Sequence, residues 1–390
     1  MRVLLISHTC QSPTEGQPRA QQLASIPGVE LCVLTPDRWK HYGKWRRPVV
    51  IDQPKFRYEI GKVRWPWMGP AQFYLHYYPQ LATLLREFQP DIIDLWEEPW
   101  GLVSAQACRL RNQMLPQTKI VCETEQNLEK TLPFPFERFR RYTLSNADFV
   151  IGRSDEAIEI VRRKGYRGPA RMVPNGVDLD LFRPLDRDEC RRKLNLNRFT
   201  LGYVGRLVEE KGLADLLEAM GMLGDGADLL LVGSGSFEAS LRQKVNALKL
   251  DDRVRFVPAC PLNELPVVMN ALDVLVLPSR TTHRWKEQFG RVIVEAHACQ
   301  TPVIGSDSGA IPNVIGEAGL VFPEANPSAL AAAVRQLIDD PERKIRLGKL
   351  GRSQAERSCS WQRIAQQMVG IYADLLDEPG SATQFSVASA

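Results

Sequence analysis

Short apolar runs rich in β-branched residues alternate with stretches of helical periodicity along nearly the whole chain. That alternation predicts parallel sheets covered by helices. In the first half the predicted strands are Val3–Ser7, Glu30–Leu34, Asp91–Leu95, Ile120–Cys122 and Phe149–Gly152, with helices at Phe73–Phe88 and Gly101–Asn112. In the second half they are Thr200–Val204, Asp228–Val232, Val254–Val257, Asp273–Leu277, Pro302–Gly305 and Gly319–Phe322. Helices are expected at Leu213–Met222, Phe237–Leu248, Leu262–Asn270 and Gly290–Cys299. A further one opens at Asn326-Pro327, with Asn as cap and Pro at the first position.

At 390 residues the chain exceeds one ordinary core, so two doubly wound α/β domains are expected. The expected division is 1–185 and 198–358, with a hinge from Phe182-Arg183-Pro184 to Asn197. Trp361, Ile364, Met368, Ile371 and Leu375 mark one face of a final helix at 359–378, which could pack back on the first domain. The polar tail 379–390 reads as flexible.

No apolar run reaches membrane-span length, and Met1–Ser7 is too short for a signal peptide, so a cytoplasmic location is expected. Eight cysteines without a C-x-x-C pair fit reduced core thiols, and five scattered histidines do not suggest a metal cluster. The net charge of +4 comes from the first half: residues 1–190 carry 27 Lys/Arg against 23 Asp/Glu, whereas 191–390 balance at 23 each. Arg38, Lys40, Lys44, Arg46 and Arg47 cluster without an acid beside Trp39, Tyr42 and Trp45, and Trp65-Pro66-Trp67-Met68 follows. This basic-aromatic surface suits an anionic membrane or an amphiphilic ligand; no nucleic-acid module surrounds it, so no nucleic-acid partner is expected.

The chemistry concentrates in the second half. Glu287 and Glu295 stand eight positions apart, one before the helix that Phe289-Gly290 introduces and one on it. Free backbone N–H groups at such a helix start form an anion site. The two carboxylates then suit hydroxyls at either end of a ligand with negative charge in its middle, such as a sugar joined to a nucleotide. Gly205-Arg206-Leu207 follows a strand, and Lys211-Gly212 opens the next helix. Arg206 and Lys211 thus point towards the crevice where ligands of open α/β sheets bind, placed to neutralise a diphosphate.

Val232-Gly233-Ser234-Gly235 resembles half a dinucleotide fingerprint, but Glu238 occupies the third glycine's place, which argues against a hydride-transfer cofactor. Asp178-Leu179-Asp180 and Asp186-Arg187-Asp188 have metal-ligand spacing without a strand end to present them, so no metal is expected. No G-x-S-x-G nucleophile elbow is present.

Three blocks resemble glycosyltransferase family 4: Val173-Pro174-Asn175-Gly176-Val177-Asp178 with Phe182, Gly205-Arg206-Leu207 through Lys211-Gly212, and Pro278-Ser279 leading through Glu287 to Gly305. The resemblance covers roughly Arg171 to Phe322 by motif and the first half by layout. It implies a GT-B fold and a retaining, metal-independent glycosyltransferase with no cofactor beyond its nucleotide-diphosphate sugar co-substrate. A GT-B epimerase or phosphorylase would share the anion site, and a non-catalytic membrane- or polymer-binding protein is the other alternative. By the resemblance, Glu287 holds donor-sugar hydroxyls, Glu295 the ribose, and Arg206 and Lys211 the diphosphate. Gly205 and the backbone of Gln288, Phe289 and Gly290 line the donor, and Asn175 and Gly176 form the interdomain floor. The chain departs from the family in three places. Only Gly16 stands for a paired-glycine loop, Glu125 falls where many members have His, and Ser308-Gly309 then Asn313 replace a Gly-Gly…Glu pattern. Gly16, Trp39 and Arg46 are expected on the acceptor side, where a glycan or lipid-linked acceptor would enter at the inner face of a membrane.

Overall fold

The computed structural model describes residues 1–41, 44–64 and 72–377. Its strands, in chain order, are β1 (Arg2–Ile6), β2 (Glu30–Pro36), β3 (Trp39–His41), β4 (Lys44–Arg46), β5 (Arg57–Gly61), β6 (Ile92–Leu95), β7 (Lys119–Thr124), β8 (Phe149–Gly152) and β9 (Ala170–Met172). There follow β10 (Thr200–Val204), β11 (Asp228–Val232), β12 (Val254–Val257), β13 (Val274–Leu277), β14 (Val303–Ser306) and β15 (Gly319–Phe322). All but β3 and β4 form two parallel sheets, ordered β5-β2-β1-β6-β7-β8-β9 and β12-β11-β10-β13-β14-β15. In each, the order reverses beside the first strand, and the crevice beyond the strand C-termini at that reversal is where such sheets bind ligands. Val3, Leu5, Ile92, Val121 and Ile151 bury one face of the first sheet. Leu201, Leu229, Leu231, Val274 and Val276 lie in the core of the second.

The two sheets match the predicted architecture, with local corrections. The expected helix Phe73–Phe88 is two, Gln72–Leu75 and Leu81–Phe88, because Pro79 cannot continue a helical hydrogen-bond ladder. β7 runs two residues beyond the expected Cys122, which carries Glu123 into the buried sheet. The charged stretch expected as hinge contains the helix Arg187–Leu194, capped by Asp186 Oδ1 accepting from Glu189 N at 2.9 Å. Asp178 Oδ1 likewise accepts from Asp180 N at 2.9 Å and Leu181 N at 3.0 Å. The first aspartate of each D-x-D pair therefore serves a local cap. The basic segment forms the hairpin β3–β4, antiparallel with Lys40 opposite Trp45. Trp65–Met68, Tyr42 and the tail from 378 lie outside the described residues.

The final helix, Trp361–Asp377, crosses back to the first sheet and buries Ile364, Met368, Ile371 and Tyr372 there. Beneath it sits a buried charge network. Arg19 reaches Asp94 and Glu123 at 2.5 Å each, Arg153 pairs with Glu123, and Tyr372 donates to Asp94 at 2.6 Å. All eight cysteines are free. Among the described residues no helix is long and apolar enough to cross a membrane.

Candidate active site

The loops after β10 and β13 build the charged edge of the second domain. The loops after β10 and β11 pack so closely that a Cβ on Gly233 would lie 1.8 Å from the carbonyl oxygen of Gly205. Arg206 follows, partly exposed, with Nη2 3.9 Å from Glu210 Oε1. Lys211 Nζ reaches Glu287 Oε2 at 2.5 Å and stands 4.6 Å from the centre of the Trp285 ring. Ser279, at the start of the loop after β13, donates from Oγ to the same Glu287 oxygen at 3.0 Å. The buried Tyr203 phenol has its pKa raised, first by burial and then by Glu287, with Arg206 opposing, so both charges act on one ring.

From Glu287 the chain passes through exposed Gln288 and buried Phe289 to Gly290, left-handed at φ 79°, which starts the helix Arg291–Ala298 without a side-chain cap. The first N–H groups of that helix therefore remain available to an anion. Glu295 lies partly buried on the same helix. Burial raises its pKa, only partly opposed by Arg291, and among the described residues no hydrogen bond reaches its carboxylate.

The facing wall belongs to the first domain. Two adjacent glutamates after β6 turn opposite ways. Glu97 takes the backbone N–H of His8 at 2.6 Å and its ring Nδ1 at 2.8 Å. Glu98 accepts the backbone N–H of Glu125 at 2.8 Å and the Thr124 hydroxyl at 2.7 Å. Burial pushes the Glu98 pKa up to about 7. Glu125, directly beyond β7, has a carboxylate about 40% exposed and 3.8 Å from Arg153 Nε. Asn127 then crosses the crevice, donating from Nδ2 to the Glu287 carbonyl at 2.7 Å.

Between the walls lies a cavity of about 440 Å³, lined on one side by His8, Glu15, Trp39, Arg46, Arg47 and Glu125. Asn175, Arg291 and Trp361 line the other side. Trp361 packs so tightly over Gly176 that a Cβ there would lie 2.2 Å from its ring. Gly16 is buried where the helix Gln17–Ala24 begins.

The sequence-predicted residues thus divide into two groups. Lys211 and Glu287 meet directly, with Arg206 close by; Glu125, Asn175, Trp39 and Arg46 share the cavity. Trp39 is not the exposed ring expected of a surface patch: it is 3% exposed and stacks on His8 with centroids 4.6 Å apart. Trp45, on the facing strand opposite Lys40, is half exposed. Sequence reasoning missed His8, Glu97, Asn127, Arg291 and Trp361. Only His8 carried a signal, as a polar residue just past the first strand. Among the described residues no group of side chains has the arrangement of a metal site.

Known proteins place this architecture. The profile described as Glycosyltransferase Family 4 matches residues 20–181, and that described as Glycosyl transferases group 1 matches 186–354. A D-inositol 3-phosphate glycosyltransferase of Corynebacterium jeikeium is 30% identical over 323 residues, 76% of this chain and 70% of that protein. The chain belongs to glycosyltransferase family 4. Another relative in Corynebacterium glutamicum is named a GDP-mannose-dependent monoacylated alpha-(1-6)-phosphatidylinositol monomannoside mannosyltransferase. It is 32% identical over 210 residues, and the alignment spans 51% of this chain and 55% of that protein. Among solved structures, sucrose-phosphate synthase from Thermosynechococcus elongatus superposes with a TM-score of 0.76 at 26% identity, covering 96% of this chain and 99% of that one. The GT-B fold and glycosyltransferase activity follow from these matches together.

Proposed function

We propose that this glycosyltransferase acts with retention and without a metal. A nucleotide-diphosphate sugar would lie against the second domain, residues 198–358, and pass its sugar to a hydroxyl in the cavity that the first domain, 1–185, walls. The observation that carries this reading is the Lys211–Glu287 pair at the sheet edge, followed at once by the uncapped helix start at Gly290. Lys211 and Arg206 would face the diphosphate and Glu287 the sugar hydroxyls. Glu295, its carboxylate without a hydrogen-bond partner among the described residues, would accept the ribose hydroxyls, while the backbone of Gln288 to Gly290 follows the ligand. Asn175 and Gly176 form the floor.

As the sugar–phosphate bond breaks, negative charge grows on the β-phosphate, where Arg206, Lys211 and the helix start would stabilise it. The acceptor hydroxyl attacks from the face the nucleotide leaves, and its proton passes to the departing phosphate oxygen. Neither a covalent enzyme intermediate nor a cofactor is needed. The name of the Corynebacterium glutamicum relative, GDP-mannose-dependent and acting on a phosphatidylinositol mannoside, supports a nucleotide-sugar donor and a glycan or glycolipid acceptor.

The exposed Trp45 beside Arg38, Arg46 and Arg47 would let the β3–β4 hairpin rest on the inner face of an anionic membrane. Each surface cation near such a membrane contributes on the order of 1 kcal/mol. Binding to anionic liposomes at low salt, lost on neutralising Arg46 and Arg47, is expected; no binding at low salt would remove the membrane contact.

A thermal-shift panel of nucleotide sugars, followed by detection of released nucleoside diphosphate, tests the activity. An epimerase would return the nucleotide sugar altered, and a phosphorylase would need free phosphate. A chain that binds no nucleotide sugar would leave the scaffold reading.

A further inference from the structure

Two imidazoles flank one carboxylate beside the interdomain cavity. Glu97, whose side chain is 5% exposed, holds His8 Nδ1 at 2.8 and 2.9 Å through its two oxygens, and His76 Nε2 stands 3.9 Å from Oε2. The two rings differ in their surroundings. His76 is fully buried, engages the Gln72 carbonyl through Nδ1 at 2.9 Å, and has its pKa lowered by burial. Its neutrality leaves the Glu97 charge to His8. Burial also lowers the pKa of His8, but Glu97 more than offsets that, with Glu125 and Glu15 adding to it, and the net shift is upward. Glu97 itself, despite burial, is held below the usual carboxylate range by His8.

With Nδ1 facing Glu97, the opposite ring nitrogen of His8 makes no hydrogen bond to any described residue, and His8 lines the cavity. Trp39 stacked on one side and Phe73 edge-on at 5.5 Å fix the ring. The charged groups that share this space are Glu15, Glu125, Arg46, Arg47 and Arg291. Three guanidiniums against two carboxylates leave an excess of positive charge, and the His8–Glu97 pair stands beside them. Planar guanidinium forks match oxyanions.

We propose that His8, clamped by Glu97, is a specificity-determining cation that binds an oxyanion on the acceptor, a phosphate ester or a carboxylate, through Nε2–H. This rests on the reading of the cavity as the acceptor site. His8 is a positioning residue here: the transferred proton still goes to the departing phosphate.

The test uses the full chain saturated with nucleoside diphosphate, so that the donor-side cations are occupied. Sulfate, a dianion across the whole pH range used, stands for the phosphate ester and acetate for the carboxylate, at constant ionic strength. The His8 ring proton signal, identified by its loss in His8→Gln, is followed by NMR from pH 5.5 to 9. Sulfate or acetate should raise the His8 pKa, and the favoured anion should bind several-fold more weakly above that pKa than below it. His8→Gln should weaken binding and flatten its pH dependence. Glu97→Gln should lower the His8 pKa and shift the same loss to lower pH. The anion that moves His8 further names the acceptor group. Anion binding unchanged in His8→Gln, or a His8 titration indifferent to both anions, overturns the proposal. Failure of nucleoside diphosphate to bind would instead strike the donor reading, and the same titration on the free chain would still decide His8.

Discussion

Lys211 Nζ lies 2.5 Å from Glu287 Oε2 with both side chains mostly buried, so the cation proposed to face the diphosphate and the carboxylate proposed to face the sugar already touch. A donor entering here would exchange part of that pair for its own phosphate and hydroxyls. Among the described residues Glu295 has no such partner, and burial raises its pKa. The two carboxylates should therefore fail differently. Glu295→Ala should weaken nucleoside diphosphate binding by roughly 1.5–3 kcal/mol, the range of a charge-assisted hydrogen bond. Glu287→Ala should spare free nucleoside diphosphate and damage sugar turnover. Calorimetry with nucleoside diphosphate and nucleotide sugar separates them; equal losses for both ligands in both variants would sink the division.

Catalysis should survive excess EDTA, because the proposed donor site meets the diphosphate with Arg206 and Lys211, and the first aspartate of each D-x-D pair is occupied in a local cap. Arg206→Ala should cost at least about 100-fold in turnover, typical of losing one preorganised electrostatic contact. Complete loss in EDTA that Mg²⁺ or Mn²⁺ restores would overturn metal independence.

Donor-side candidates were legible because they are local: a glycine turn after a strand, a cation at the next helix, a carboxylate before a helix start. Arg206, Lys211 and Glu287 come from two loops that the parallel-sheet topology brings to one edge, and strand patterning predicts that topology. The acceptor wall was not legible in this way. His8 and Glu97 are 89 positions apart, and only the pairing of β1 with β6 brings their loops together. Arg291 and Trp361 reach the cavity through the docking of two domains, which no short-range spacing encodes. Trp39 looked like surface because its neighbours are cations. Its burial comes instead from packing against His8, Phe73 and His76, contacts from distant segments that the local sequence does not announce.

Glu125 should matter to turnover through its charge. Its backbone is pinned by Glu98, and its carboxylate enters the cavity where the acceptor would stand. Glu125→Gln, nearly the same shape, should reduce kcat on the order of 100-fold if that charge supports the reacting centre. Steady-state rates at saturating donor and acceptor provide the check. Unchanged kcat removes it from the mechanism. Glu123, its neighbour, offers no replacement, since Arg19 and Arg153 hold it inside the sheet.

His297 sets a pH limit on the second domain. It faces inward from the helix Arg291–Ala298, fully buried, and neither ring nitrogen has a hydrogen-bond partner among the described residues. Burial lowers its pKa from 6.5 to about 4. Above pH 6.5 the ring is neutral in both folded and unfolded chains. As pH falls from there towards 4, the unfolded chain takes up a proton that the folded one refuses, so stability is lost. The difference in pKa corresponds to about 3 kcal/mol once pH is below both values. His297→Leu, of similar size, removes this titration while leaving every carboxylate in place. Urea denaturation at pH 7.5 and 4.5 should therefore show the wild-type chain losing about 2.5 kcal/mol more than the variant. Equal losses in the two proteins would mean that His297 titrates alike folded and unfolded, against its burial in the core.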